Sequence, residues 1–509
     1  MELARQMGGE ANVARHHANG RLTVRERIDR LLDPGSFHEI GALAGRAEYD
    51  TAGHLTTFVP ANFVMGTGRL DGRRIVVGGD DFTVRGGAAD AAIAGKMGYA
   101  EKLALGLKLP MVRLVDGTGG GGSVKTIETT GRTYVPANPA WDTIVALMGE
   151  VPVVAACLGS VAGLGAVRVA TSHFSLMVKG TSQLFVAGPP VVVRGVGETV
   201  SKEELGGSHI HSRGSGAVDN EAESEEEAFA QIRQFLSYLP SNVWKVPRRA
   251  MAKMAKDDPQ RREEELISAI PRDRRRTYDV RKILNAVLDR ESFFEISRLY
   301  GRPLVTGLAR LDGYPVGVMA NDPRHGGGAV DAEACEKMMR FVDLCDTFHL
   351  PVVNFVDNPG FLIGTAAERD GTVRLGSRAL AAVYQASSPW VSVILRRVFG
   401  VAGAGHGNAQ GLNLRYAWPS GDWGSLPIEG GVQAAYRREI EAAPDPDLRR
   451  REIEQRLDGL RSPFRTAESF GIEEIIDPRD TRPLLCEWVA TAYDLLPATL
   501  GPKGRATRP

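Results

Sequence analysis

The chain has four cysteines in 509 residues, Cys157, Cys335, Cys345 and Cys486, and no two form a CxxC pair. That excludes a zinc ribbon and a thioredoxin-type site, and the four read as core thiols in a reducing compartment. Net charge is also missing, with 62 Lys+Arg balanced by 62 Asp+Glu. No field of one sign is available to gather nucleic acid or an anionic membrane. No apolar run reaches the ~18 residues of a membrane span, and the start, "MELARQMGGEANVARHH", has no apolar signal core. A cytoplasmic location is expected. The Gly-x-Ser-x-Gly elbow and HExxH are absent, and the glycines of "GSVAGLGA" (159–166) do not follow the dinucleotide GxGxxG spacing. His209 and His211 lack an acidic or third His ligand nearby, so no metal site is expected.

Glycine is what the chain has in excess: 59 residues, well above the usual ~7%. The densest stretch, "DGTGGGGSVKT" (116–126), resembles a P-loop but fails at Val124. A β-branched residue stands there where phosphate wrapping needs bare backbone, so Lys125 is not expected to grip a nucleotide.

The chain repeats itself. "RLTVRERIDRLLDPGSFHEI" (21–40) returns as "TYDVRKILNAVLDRESFFEI" (277–296), with Val24, Arg25, Leu32, Asp33, Ser36, Phe37, Glu39 and Ile40 recurring at a shift of 256. "GRLDGRRIVVGGDDFTVRGG" (68–87) returns as "ARLDGYPVGVMANDPRHGGG" (309–328), and "LPMVRLVDGTG" (109–119) as "LPVVNFVDNPG" (350–360), at a shift of 241. "VPVVAACLGSVAGLG" (151–165) is matched to 389–405 at a shift of 238, which lays Ala162-Gly163-Leu164 on Gly400-Val401-Ala402. Two domains follow, 1–250 and 275–509. The charge-dense stretch 245–276 reads as a linker or surface helix, and its "AMAKM" as a solvated face rather than a biotin attachment site. Thr23 with Glu26 has capping-box spacing, and Asp279 can cap the second copy of that helix. Apolar runs at 75–78, 111–115, 151–157 and 173–179 fit buried strands, and 86–110 reads as a helix, so the fold class is α/β. The acidic run 219–227 reads as a helix start. Ligands of such folds collect where strands end in glycine-rich turns that start helices, with backbone N–H groups free. Here those turns are at Gly86-Gly87, 116–126, 159–166, 326–328, 357–364 and 400–407. Two aligned turns of this kind suit a pair of oxyanion holes.

"GRLTVRERIDRLLDPGSF", "DDFTVRGG", "LFVAGPPVV", "GETVSKEELGG", "SGAVD", "VDNPGFLIGT" and "LRRVFGVAGAG" occur in this order. Together they resemble the carboxyltransferase (β) subunits of biotin-dependent acyl-CoA carboxylases of the propionyl-CoA and methylcrotonyl-CoA type, over nearly the whole chain. "GPPVV" is closer to the methylcrotonyl type. The resemblance implies two tandem crotonase-like domains, the first holding acyl-CoA and the second carboxybiotin. It implies a hexamer (trimer of dimers) and a partner α subunit carrying biotin carboxylase and the biotin carrier. A carboxyl group would pass from carboxybiotin to the acyl α (or vinylogous) carbon through an enolate held by backbone N–H groups. By position, the enolate hole falls on Gly163 and Leu164 and the biotin hole on Val401 and Ala402. Gly86, Gly87, Gly119, Gly120, Gly188, Pro189, Gly360, Phe361 and Gly400 are the expected substrate-binding positions. The family usually has Gly-Gly at Gly163-Leu164 and Gly-Gly-Ala at Gly400-Val401-Ala402. The alternatives are a malonyl-CoA-type decarboxylase or transcarboxylase on the same fold, or a non-catalytic scaffold for a biotin carboxylase.

Overall fold

A computed structural model of the chain describes residues 2–87, 93–117, 127–128, 131–133, 135, 137–138, 140–250, 257–408 and 410–507. The chain divides into two compact units, Met1–Lys245 with Gly501–Pro509, and Val246–Leu500.

In the first unit a seven-stranded sheet runs in the order 38–39, 63–70, 73–80, 111–115, 153–157, 174–178, 220–222. The first two pairings are antiparallel and the other four parallel. The strands Met111–Val115, Val153–Cys157 and Phe174–Val178 are buried along their whole length, which is why they are mostly apolar rather than alternating, with Arg113 and Ser175 as the polar exceptions. The second unit repeats the plan. Its strands 294–296, 304–311, 314–321, 352–358, 390–399, 413–417 and 474–475 pair in the same succession, two antiparallel contacts followed by four parallel ones.

Local chemistry is duplicated as well. Thr23 caps the helix Val24–Leu31 through a full capping box, with Glu26 accepting from the Thr23 N–H at 2.7 Å. Asp279 caps Val280–Val287. Arg25 pairs with Glu39 at 2.8 Å, and Arg281 with Glu295 at 2.9 Å. Asp33 accepts from the Asp71 and Gly72 N–H groups at a hairpin turn, and Asp289 accepts from those of Asp312 and Gly313.

Strand register corrects the alignment of the second halves. Met111 pairs with Val153, and its repeat mate Val352 pairs with Trp390. Val153 therefore corresponds to Trp390, a shift of 237 rather than 238. Gly163 then falls on Gly400, Leu164 on Val401 and Gly165 on Ala402. Backbone conformation agrees, since Gly163 and Gly400 have φ of 59° and 63°, a region that side chains disfavour.

The stretch read as a linker is largely part of the second unit. Leu266 is buried in its core, and Arg261 binds Asp257 and the carbonyls of Ala286 and Leu288. Residues 251–256, which take in all of "AMAKM" (250–254) but Ala250, lie outside the described residues, and the final segment Gly501–Pro509 belongs to the first unit. The helix expected over 86–110 is observed as Ala94–Leu107, ended by Lys108 in a left-handed conformation. Gly86 and Gly87 form a separate turn, because both have positive φ. All four cysteines are buried and free. Among the described residues, no helix is long and apolar enough to cross a membrane.

Candidate active site

In the first unit three backbone segments meet at one end of the sheet. The turn Arg85–Gly87 packs so closely on the end of strand Met111–Val115 that a methyl group at Gly87 would stand 3.0 Å from the Asp116 carbonyl and 3.2 Å from Gly117 Cα. The Ala162 N–H donates to the Gly117 carbonyl at 3.4 Å, which brings in the turn at Gly163. That turn opens the helix Leu164–Ala170. The Gly163 N–H is already used, donating to the Phe185 carbonyl at 3.2 Å in continuation of the small parallel ladder between 160–162 and 183–185. Gly163 is thus not a free donor, contrary to the positional expectation. Leu164 and Gly165 sit in the first helical turn, where N–H groups have no intrahelical acceptor, and neither finds another among the described residues. Gly188 and Pro189 stand at the cap and first position of the next helix, three and four residues beyond Phe185. Pro suits that position because its missing N–H would be unpaired there anyway. Gly119 and Gly120 lie outside the described residues.

The second unit repeats this layout. A methyl group at Gly328 would stand 2.8 Å from the Asp357 carbonyl, and one at Gly360 would stand 3.8 Å from the Phe399 carbonyl. Gly360 accepts from the Val330 N–H, and the Gly360 N–H donates to Asn358 Oδ1. Phe361 forms a bridge with Val330, and its ring packs on Gly376. Gly400 precedes Val401 and Ala402, whose N–H groups find no acceptor among the described residues. Asn358 Nδ2 donates to the Ala402 carbonyl at 3.0 Å, tying this turn to the strand beside it.

No ionisable side chain is needed at either turn, but charged groups lie directly behind both. Asp357 is fully buried and saturated. Its Oδ2 accepts from Tyr278 Oη at 3.0 Å and from Arg396 Nη2 at 2.9 Å, and its Oδ1 from Arg397 Nε at 2.6 Å. Burial pushes the Asp357 carboxyl up, yet the Arg397 and Arg396 contacts outweigh it and hold the carboxyl below its ordinary range. Asp116, its repeat mate, is equally buried, but among the described residues its carboxylate accepts only from Arg27 Nη1, at 2.8 Å, with His16 Nε2 3.8 Å away. Its Oδ1 has no hydrogen-bond partner among the described residues and presses on Gly159. Arg27 is shared with Glu225, from the acidic run that does start a helix, Glu225–Tyr238. Asp80 accepts from the Asp116 N–H at 3.0 Å, and burial raises its pKa to about 6 despite Arg168. Sequence reasoning missed these groups. Their only signal was the pair of Asp residues, 116 and 357, recurring at the repeat shift. His209 and His211 lie in a helical turn, with His211 Nε2 on the Leu184 carbonyl at 2.8 Å.

Each of the two layered units carries a glycine-led turn whose next two N–H groups find no acceptor among the described residues, an arrangement chemically suited to an anionic oxygen. Residues 15–494 match the carboxyl transferase domain family, and the chain belongs to it. It is 36% identical to the propionyl-CoA carboxylase carboxyltransferase subunit of Haloferax mediterranei, covering 94% of this chain and 92% of that one. It is 33% identical to the methylmalonyl-CoA carboxyltransferase 12S subunit of Propionibacterium freudenreichii, covering 93% and 89%. A crystal structure of transcarboxylase 12S, a hexamer with methylmalonyl-CoA bound, superimposes with a TM-score of 0.86 at 31% identity, covering 100% of this chain and 94% of that one. The fold is the tandem crotonase-like one expected. These relatives are of the propionyl and methylmalonyl kind, whereas "GPPVV" leaned toward the methylcrotonyl kind.

Proposed function

We propose that the chain is the carboxyltransferase subunit of a biotin-dependent acyl-CoA carboxylase, with the acyl thioester in the first unit and carboxybiotin in the second. The observation that carries the reading is the duplicated donor turn, Leu164 with Gly165 and Val401 with Ala402, each preceded by a glycine at positive φ. Carboxybiotin, delivered by a biotinylated partner, supplies the carboxyl group and a basic ureido nitrogen. The residues of this chain supply fixed donors. The Leu164 and Gly165 N–H groups hold the thioester oxygen as charge builds on it, and those of Val401 and Ala402 hold the ureido oxygen. Backbone donors cost no reorganisation, and one is worth roughly 3–4 kcal/mol in the transition state. Gly86, Gly87 and Gly117 let the first pocket's backbone approach a ligand closely. Gly360 and Gly400 do the same in the second, and Gly188-Pro189 forms a wall of the first.

The relatives' hexamer supports a homo-oligomer here. So does the helix Pro189–Val196, which buries none of its residues although it carries three exposed valines, Val191, Val193 and Val196.

The test supplies the purified protein with a biotin carboxylase and its biotinylated carrier, ATP, radiolabelled bicarbonate and a panel of acyl-CoA thioesters. Label is expected in one acyl-CoA, in a reaction that needs all components. No label across the panel, with the complex still formed, would contradict the reading and favour a scaffold. Release of CO2 from a carboxyacyl-CoA without ATP, in place of carboxylation, would favour a decarboxylase.

A further inference from the structure

The helix Leu164–Ala170 is only seven residues long, about 10 Å, and its far end is held by charge buried in the core. Arg113, in the middle of strand Met111–Val115, donates through Nη1 to the carbonyls of Arg168 at 3.0 Å and Thr171 at 2.5 Å. The same guanidinium grips Glu101 as a fork, Nε to Oε1 and Nη2 to Oε2, both at 3.0 Å. Glu101 lies on the helix Ala94–Leu107 and also accepts from Arg168 Nη2 at 2.7 Å. All three side chains are buried, at 1%, 1% and 3% exposure for Glu101, Arg113 and Arg168.

Such a triad is a poor device for stability. Desolvating three charges costs several kcal/mol each, and a well-packed apolar replacement is often as stable. The second unit makes the point within one molecule. Val342 and Asn354 occupy the positions of Glu101 and Arg113, both buried, and the same sheet forms. There Asn354 Nδ2 gives a single hydrogen bond, 3.3 Å, to the His406 carbonyl beyond the second donor turn. The ionic version adds direction instead. A planar fork on a carboxylate fixes the Arg113 plane, and that plane fixes two carbonyls at the end of the helix. In a rigid helix this sets where the Leu164 and Gly165 N–H groups point.

We infer that Glu101 is a positioning residue for carboxyl transfer, acting through Arg113 and Arg168 to aim the donor turn of the first unit. The inference rests on reading Leu164 and Gly165 as the enolate donors. Glu101 touches no substrate, so its loss should lower kcat and leave the KM for acyl-CoA nearly unchanged. A misaimed catalytic geometry can cost on the order of 10²-fold.

The test compares wild type, Glu101→Gln, Glu101→Asp and the double variant Glu101→Val/Arg113→Asn, which installs the second unit's side chains and removes one charge of each sign. Steady-state carboxylation and hydrogen exchange over residues 159–170 are measured on each folded protein. Glu101→Gln and the double variant should lower kcat by ten- to a hundredfold at similar acyl-CoA KM and speed exchange in that segment. Glu101→Asp should recover part of both. Unchanged kcat and exchange in the folded double variant would overturn the inference, as would a rise in KM with kcat intact. If wild type itself transfers no carboxyl group, the functional reading fails. The exchange measurement still decides whether Glu101 holds the turn.

Discussion

The two units share a sheet plan and a donor turn but differ in what backs the turn. Behind the second turn, Asp357 is saturated by Tyr278, Arg396 and Arg397, and strand position 354 carries a neutral Asn. Behind the first, Asp116 keeps one oxygen without a partner among the described residues, and strand position 113 carries an arginine fork on Glu101. Position 80 is Asp where position 321 is Asn, yet both accept the next strand's N–H, that of Asp116 at 3.0 Å and that of Asp357 at 3.2 Å. One fold thus tolerates an ionic or a neutral support at equivalent places. The choice therefore bears on geometry and charge around the turn more than on whether the sheet forms.

The sharpest way to break the comparison is at the paired aspartates. Asp357→Ala strands two arginines and a buried tyrosine, and should cost ~3–5 kcal/mol in chemical denaturation. Asp116→Ala should cost less, ~1–3 kcal/mol, because Arg27 keeps both bonds to Glu225. Equal losses would mean that Asp357's saturation has no energetic consequence.

Asp80→Asn, which copies the second unit into the first, should show a pH dependence. In the unfolded chain this carboxyl ionises near ~3.9, and in the fold at about 6. The folded state therefore holds its proton longer, and stability present below pH ~4 is lost as pH rises through 6. The variant should be more stable than wild type at pH 7 to 8, on the order of 1–3 kcal/mol, with the gap closing toward pH 4. Denaturation midpoints across that range check this, and a gap independent of pH would contradict it.

The smallest effect compares the two caps. Thr23→Ala and Asp279→Ala should each cost ~1 kcal/mol, and Thr23 should cost slightly more because its capping box is reciprocal. Thermal melts of the two variants give the order.

Much of this plan was legible in the sequence. Runs expected at 75–78, 111–115, 151–157 and 173–179 are strands at 73–80, 111–115, 153–157 and 174–178, because strands buried on both faces are predominantly apolar. The donor turns were legible as glycines. Their register was misread by one residue, since Gly163-Leu164-Gly165 and Gly400-Val401-Ala402 can be slid against each other until strand pairing and positive φ fix them. That Gly163 spends its N–H on Phe185 was not legible, because the acceptor lies 22 residues on and belongs to a three-residue ladder. Nor was the Glu101 clamp, whose arginines lie 12 and 67 residues on, one inside a strand and one in another helix.

The most direct test of the central claim, two backbone donor turns serving one carboxyl transfer, is a pair of proline variants. Leu164→Pro, at the first position of its helix, and Val401→Pro, at the second of its own, each remove one proposed donor in a first turn, where no N–H has an intrahelical acceptor to lose. Each folded variant, assayed for incorporation of labelled bicarbonate into acyl-CoA, should lose about 10²–10³ in kcat. Retention of wild-type kcat by either folded variant would contradict the account.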